Sequence, residues 1–164
     1  MNIIGIYPGT FDPITAGHVD IIKRSLKLVD KLYVGVAEDS VKNALFSLSD
    51  RVEMIRQEIE DASLDVNRVE VEIFSGLLVK FAKEKNATIS IRGVRAIADF
   101  EYEFQMSCMN SMLDSNIETV FLPASSGLQL VSSKLVKEVI KLGGDVGDFV
   151  STKVKAKIIN KQIN

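Results

Sequence analysis

Residues 7–18, YPGTFDPITAGH, gather two of the chain's three prolines, two of its ten glycines and its only histidine. An ordinary strand-to-helix connection takes about two to six residues and no imidazole. Here Gly9 lets a backbone approach a ligand closely, and Thr10 sets a hydroxyl beside it. Gly17 removes side-chain bulk just before His18, near which a helix is expected to open. Unpaired N–H groups and the dipole at a helix N-terminus favour a phosphate, and an imidazole adds a directed hydrogen bond. The chemistry these residue types suit is the handling of phosphates. The plain alternative is a tight turn with a histidine at a helix cap, and the glycines on both sides of the loop weigh against it.

Three further groups point the same way. In residues 91–103, IRGVRAIADFEYE, Arg92 and Arg95 bracket Gly93 at the end of an apolar run. Arginine stays charged at any working pH and binds phosphate bidentately; the plain alternative pairs these two with Asp99, Glu101 or Glu103. In residues 130–138, LVSSKLVKE, Ser132 and Ser133 put hydroxyls and N–H groups at another helix start, followed by Lys134. Lys42, in EDSVKNALF, follows a second strand and is placed to reach the same cleft. Neither a G-x-x-x-x-G-K-[ST] loop nor a G-x-G-x-x-G fingerprint occurs, and no nucleophile elbow supports a serine triad around His18.

These groups must be positioned by a scaffold, and the hydrophobic pattern supplies one. Strand character is read in NIIGIY, KLYVGVA, RVEVEIF, TISIRG and ETVFLP. Helical spacing follows each: Val19, Ile22, Leu26 and Val29; the segment SLSDRVEMIRQEIED, with Ser47 and Asp50 as a capping pair; LLVKFAKEK; IADFEYEFQMSCMNSML; and SSKLVKEVIKLGG, stopped by Gly143 and Gly144. A basic helix from about residue 149 closes the chain and is expected to be peripheral, with Lys153, Lys155, Lys157 and Lys161 on a solvated face. Five strand–helix alternations predict an α/β fold. The expected form is a single domain over residues 1–164, a doubly wound, Rossmann-like, five-stranded parallel sheet with helices on both faces and a C-terminal helix. Ligands of such sheets bind beyond the C-terminal strand ends, where the strand order reverses. The candidate residues all follow strands.

Composition narrows the function. Twenty basic against 22 acidic residues leave a net charge of −2, so no global field recruits nucleic acid or an anionic membrane. One cysteine, Cys108, excludes an internal disulfide and a multi-cysteine metal site. Set among Met106, Met109 and Met112, it reads as a buried apolar thiol. No apolar run approaches a membrane span and no leader pattern opens the chain, so a reducing cytoplasm is expected.

GTFDPITAGH, IRGVRAIADFEYE and SSKLVKE, in this order and with compatible spacing, resemble the signatures of bacterial phosphopantetheine adenylyltransferases in the nucleotidyltransferase superfamily. The superfamily signature is H-x-G-H, and this branch carries threonine in the first place. Thr15-Ala16-Gly17-His18 follows the branch pattern, which favours it over nicotinate-mononucleotide and glycerol-phosphate relatives. The resemblance implies transfer of AMP from ATP to 4′-phosphopantetheine, giving dephospho-coenzyme A and pyrophosphate by in-line attack without a covalent intermediate. It further implies that His18 holds the α-phosphate, that Thr10 and Lys42 orient the attacking phosphate, and that Arg92 and Leu78 bind the pantetheine substrate. Arg95 is implied to contact the ATP phosphates, with Thr10, Phe11, Gly93, Val94 and Glu103 completing the nucleotide site and Leu128, Gln129, Leu130, Val131, Ser132, Ser133 and Lys134 covering triphosphate and adenine. Magnesium is implied to ride on the phosphates, with no protein side chain as its ligand, and a homohexamer is the family's usual assembly.

The third motif departs from the family. An aromatic-Ser-Phe run before Ile-Ser-Ser-Ser is usual there, whereas this chain reads Leu128-Gln129-Leu130-Val131-Ser132-Ser133-Lys134, with a cation in place of a hydroxyl. The competing readings are a nucleotidyltransferase using another acceptor or CTP, and a catalytically silent nucleotide-binding module on the same scaffold.

Overall fold

The computed structural model describes residues 2–38 and 44–163. Five strands, β1 (Ile4–Gly9), β2 (Lys31–Ala37), β3 (Val69–Phe74), β4 (Ile89–Val94) and β5 (Glu118–Pro123), form one sheet in the order β3-β2-β1-β4-β5. Every pairing is parallel. The helices α1 (Ala16–Ser25), α2 (Leu48–Asp61), α3 (Leu78–Glu84), α4 (Ile97–Leu113) and α5 (Ser133–Lys141) each follow a strand, and α6 (Thr152–Ile163) ends the chain. The predicted α/β doubly wound sheet is the fold observed.

Local chemistry sets the helix starts. Ser47 caps α2 as expected: its hydroxyl accepts from the Asp50 N–H at 3.2 Å while Asp50 reaches back. Thr15 caps α1, so that helix opens two residues before His18 and not at it. Alternation along the strands sends side chains to two cores. Leu32, Val34 and Val36 of β2 face a large cluster with Ile22 of α1, Met54 and Ile55 of α2, and Val136 of α5. Ile6 of β1 faces the other side, against Val79, Phe81 and Ala82 of α3.

Two expectations are corrected. The C-terminal helix is not peripheral: Val154 and Ile158, one turn apart, are 1% and 2% exposed and belong to the large core. Its lysines are held against the protein, Lys153 on Asp61, Lys157 on Glu53 and Lys155 on Asp145. Its many lysines obscured a two-residue apolar stripe. Cys108, expected to be buried, is exposed, because α4 buries none of its residues in the described chain and leaves its methionines and phenylalanines facing outward.

The strand order reverses between β1 and β4. There the ladder is short: Gly5 pairs with Ile89 and Ile6 with Ser90, whereas β1 and β2 stay in register from Ile4–Lys31 to Gly9–Val36. Beyond Ile6 the two central strands part, and the crevice between them opens at their C-terminal ends.

Candidate active site

His18 enters this crevice from the first turn of α1. The Thr15 hydroxyl accepts from the His18 backbone N–H at 3.4 Å, and the Thr15 N–H donates to Nδ1 of the His18 ring at 3.0 Å. A backbone N–H only donates, so Nδ1 is the acceptor and the neutral ring carries its proton on Nε2. Thr15 Oγ1 also lies 3.0 Å from Nδ1, and Phe11 meets the ring edge-on with centroids 5.0 Å apart. Burial, reinforced by the Arg95 cation, pushes the His18 pKa down to about 4. At neutral pH the residue is therefore an uncharged donor.

The loop that carries it is held rigidly. Phe11, fully buried at φ 48°, adopts a left-handed conformation that costs a non-glycine residue energy, and its ring packs on Tyr7 and His18. A Cβ on Gly9 would stand 3.0 Å from that ring, so this glycine answers to the loop's own packing. Gly17 differs. A Cβ there would make only ordinary contacts, 3.5 Å from the Val131 carbonyl, so the protein's own packing does not demand glycine. Gly17 borders the crevice, and the space over it is available to a ligand.

A cavity of about 270 Å³ lies over this helix start. Of the residues expected around the nucleotide, it brings together His18, Gly93, Val94, Arg95, Glu103, Leu128, Val131, Ser132, Ser133 and Lys134. Phe11 lies beneath the site with its side chain wholly inside the core, so only its backbone can serve a ligand. Thr10, Gln129 and Leu130 are not among the lining residues: Thr10 borders a second cavity, Gln129 accepts from the Gly127 N–H, and Leu130 is 80% exposed.

Both arginines carry the carboxylate partners considered above. Arg92 forks onto Glu103 at 2.6 and 2.7 Å and donates to the Pro8 carbonyl at 2.9 Å. Arg95 forks onto Asp99 at 2.9 and 3.1 Å and reaches the Val131 carbonyl at 3.5 Å. Five donors per guanidinium leave each with hydrogens to spare, so the forks orient these groups without exhausting them. The serines divide. Ser132 caps α5 by accepting from the Leu135 N–H at 3.1 Å and keeps its own proton to donate. The Ser133 hydroxyl donates to the Pro13 carbonyl at 2.7 Å, which corrects the expectation that both hydroxyls face phosphate. Ser133 instead ties α5 to the loop of His18.

A second cavity, of about 480 Å³, adjoins the first and contains the other three described candidates, Thr10, Leu78 and Arg92. Its walls include Phe74, Leu77, Tyr102 and Met106. Pro8, Gly9, Arg92 and Glu103 border both cavities. Lys42 lies outside the described residues. The sequence reading missed Tyr7 and Ile21 in the first cavity, and Tyr102, Met106 and Asn110 in the second. The last three recur every fourth residue along α4, one helical face whose spacing is visible in the sequence.

The family model described as cytidylyltransferase-like matches residues 6–139. The phosphopantetheine adenylyltransferase of Wolbachia pipientis subsp. Culex pipiens is 56% identical over 159 residues, 97% of this chain and 93% of the relative. That of Caulobacter vibrioides is 51% identical over 158 residues, 96% of each chain. Among solved structures, a putative nicotinate-nucleotide adenylyltransferase from Vibrio parahaemolyticus aligns with a TM-score of 0.71 at 18% identity, over 98% of this chain and 93% of its own, a likeness of fold. With the loop of His18, the crevice between β1 and β4 and these relatives taken together, the chain belongs to the phosphopantetheine adenylyltransferase family of bacterial nucleotidyltransferases.

Proposed function

We propose that the protein transfers AMP from ATP to 4′-phosphopantetheine, releasing pyrophosphate and dephospho-coenzyme A, the penultimate step of coenzyme A synthesis. The observation that carries this reading is the pair of adjoining cavities, the more polar one built on two helix N-termini and the other mainly apolar, which share Pro8, Gly9, Arg92 and Glu103. ATP takes the first, and the extended pantetheine arm takes the second along Leu78 and α4. The acceptor phosphate then meets the α-phosphorus at the shared border.

An oxygen of the acceptor phosphate forms the new bond to the α-phosphorus, and the bond from that phosphorus to the bridging oxygen of the β-phosphate breaks, so pyrophosphate leaves with the electron pair. A phosphate at neutral pH is already a nucleophile, and catalysis reduces to positioning and charge stabilisation. His18 donates from Nε2 to the α-phosphate, where negative charge accumulates in the transition state. Its neutrality follows from the Thr15 contact and from burial. Arg95, Lys134, Ser132 and the N–H groups at the start of α5 hold the leaving phosphates. Thr10 and Lys42 orient the acceptor phosphate, and Arg92, steadied by Glu103, spans the two substrates. Magnesium, carried on the ATP phosphates, would supply counter-charge to the leaving pyrophosphate. Glu103, the carboxylate that borders the nucleotide cavity among the described residues, is engaged by Arg92, which fits a phosphate-borne ion better than a protein-held one.

The exposed apolar side of α4, with Ile97 and Met112 each 88% exposed, supports a homo-oligomer, for which the hexamer is the assembly proposed. A cytoplasmic location agrees with the substrates. Among the described residues no helix is long and apolar enough to cross a membrane. The test is to incubate the purified protein with Mg-ATP and 4′-phosphopantetheine, with nicotinate mononucleotide plus ATP, and with glycerol 3-phosphate plus CTP, and to identify products by mass. Dephospho-coenzyme A in the first tube alone is the expected result. Product in another tube would move the acceptor, and binding of ATP without any product would make this a silent module.

A further inference from the structure

Arg51 of α2 lies far from any surface role: it is 3% exposed. Its Nη1 donates to the Thr10 carbonyl at 2.9 Å and approaches the Ala37 carbonyl at 3.4 Å, while its buried Nε has no partner. Among the described residues no carboxylate pairs with it. The contrast with the neighbouring buried charge is direct, since Asp12 accepts from the N–H groups of Leu45 and Phe46 at 2.8 Å each and from Lys137 at 3.1 Å. An enclosed cation without a counter-charge is costly, and two carbonyls satisfy hydrogen bonds without neutralising it.

Its location suggests what balances it. Thr10 follows β1 and Ala37 ends the adjacent strand β2, and both border the second cavity. Carbonyl oxygens at that rim would repel an incoming phosphate. A guanidinium bound to them removes part of that repulsion and leaves a net positive charge behind the rim. We propose that Arg51 is a positioning residue for the acceptor substrate, a buried cation that fixes Thr10 and whose charge is balanced by the substrate's terminal phosphate. This rests on the reading that the acceptor phosphate lies at Thr10. A purely structural tie between α2 and the strand ends would need the hydrogen bonds and not the charge, which gives the experiment its contrast.

The experiment measures, by calorimetry, binding of 4′-phosphopantetheine and of pantetheine, which lacks the phosphate, to the wild-type protein, to Arg51→Gln and to Arg51→Lys. The ratio of the two affinities isolates the phosphate. The wild type should favour the phosphorylated ligand. Arg51→Gln should lose about tenfold or more of that preference, as expected for removing one unscreened charge, with pantetheine affinity and the KM for ATP within about twofold. Arg51→Lys should retain most of the preference. A folded Arg51→Gln protein with an unchanged ratio, or one that weakens both ligands equally, would overturn the proposal. Should the glutamine variant fail to fold, the lysine variant decides: a kept ratio supports the role of charge, and a lost one refutes it. A wild type that binds both ligands alike would overturn the acceptor reading of the second cavity, and this inference with it.

Discussion

His18 is the only histidine in the chain, so labelling one residue type isolates the group that the mechanism depends on. The perturbation is acid. The Thr15 N–H already occupies Nδ1 at 3.0 Å, and a proton added there would set two donors against each other. Burial and the Arg95 cation oppose the charge as well, and together they hold the pKa at about 4 instead of the usual 6.5. At about 1.4 kcal/mol for each factor of ten, protonating this ring costs about 3 kcal/mol more in the folded protein than in the unfolded chain. The sign follows from where each state takes up its proton. The unfolded imidazole does so near 6.5 and the folded one near 4, so the stability linked to His18 is complete above pH 6.5 and is lost as pH falls toward about 4. At pH 5 the loss amounts to about 2 kcal/mol at most, since water on the cavity side screens part of it. Nitrogen NMR of ligand-free protein with labelled histidine, titrated from pH 8 to 4, should show the proton on Nε2 and a midpoint near 4. Urea unfolding at pH 7.5 and 5, with His18→Gln as reference for the remaining titrating groups, should show the wild type losing more. A midpoint at or above 6.5, or a proton resident on Nδ1, would refute the argument that this residue acts as a neutral Nε2 donor.

Replacing His18 by Ala should lower turnover by about 10²–10³ with ATP binding changed by less than about threefold, as for loss of a transition-state donor; equal losses in both would give it a ground-state role. Lys134→Ser should weaken ATP binding and flatten its salt dependence in calorimetry, whereas no change in either would remove Lys134 from the nucleotide site. Ile158→Ala should cost about 2–4 kcal/mol in urea unfolding, because the side chain is 2% exposed in the main core. A cost near zero would restore α6 to the periphery. Met109→Asp, placed on the exposed side of α4, should shift the mass seen by light scattering from that of the proposed hexamer to smaller species, and an unchanged mass would put the interface elsewhere.

Much of the scaffold was legible because it is specified locally. The alternating and helical apolar patterns gave all five strands and the helices after them, with KLYVGVA and ETVFLP matching β2 and β5 end to end. Serine at position 47 with aspartate three residues on identified a helix start because both partners of that cap lie within one turn. What failed locally was burial. A helix with four lysines, α6, reads as solvated until the core shows a place for Val154 and Ile158. Cys108, set among the methionines of α4, reads as buried, yet none of that helix's residues is buried among those described.

The site divides along the same line. Residue types at short spacing pointed, from sequence alone, to Gly17 with His18, to Arg92 with Arg95, and to Ser132 and Ser133 with Lys134 as groups suited to phosphates, since the chemistry of each group lies within a few residues. Only the tertiary structure decided how those groups are used. It set the His18 proton on Nε2 through Thr15, diverted the Ser133 hydroxyl to Pro13, and joined the two cavities along Pro8, Gly9, Arg92 and Glu103. It also placed Arg51, unremarkable in SDRVEM, behind the carbonyls of Thr10 and Ala37. The physical reason is one of range: capping, turn geometry and amphipathic period act over one or two turns of chain. Proton placement, burial and charge balance depend on distant neighbours, 41 positions from Arg51 to Thr10 and 125 from Lys137 to Asp12, which only the closed sheet and its helices bring together.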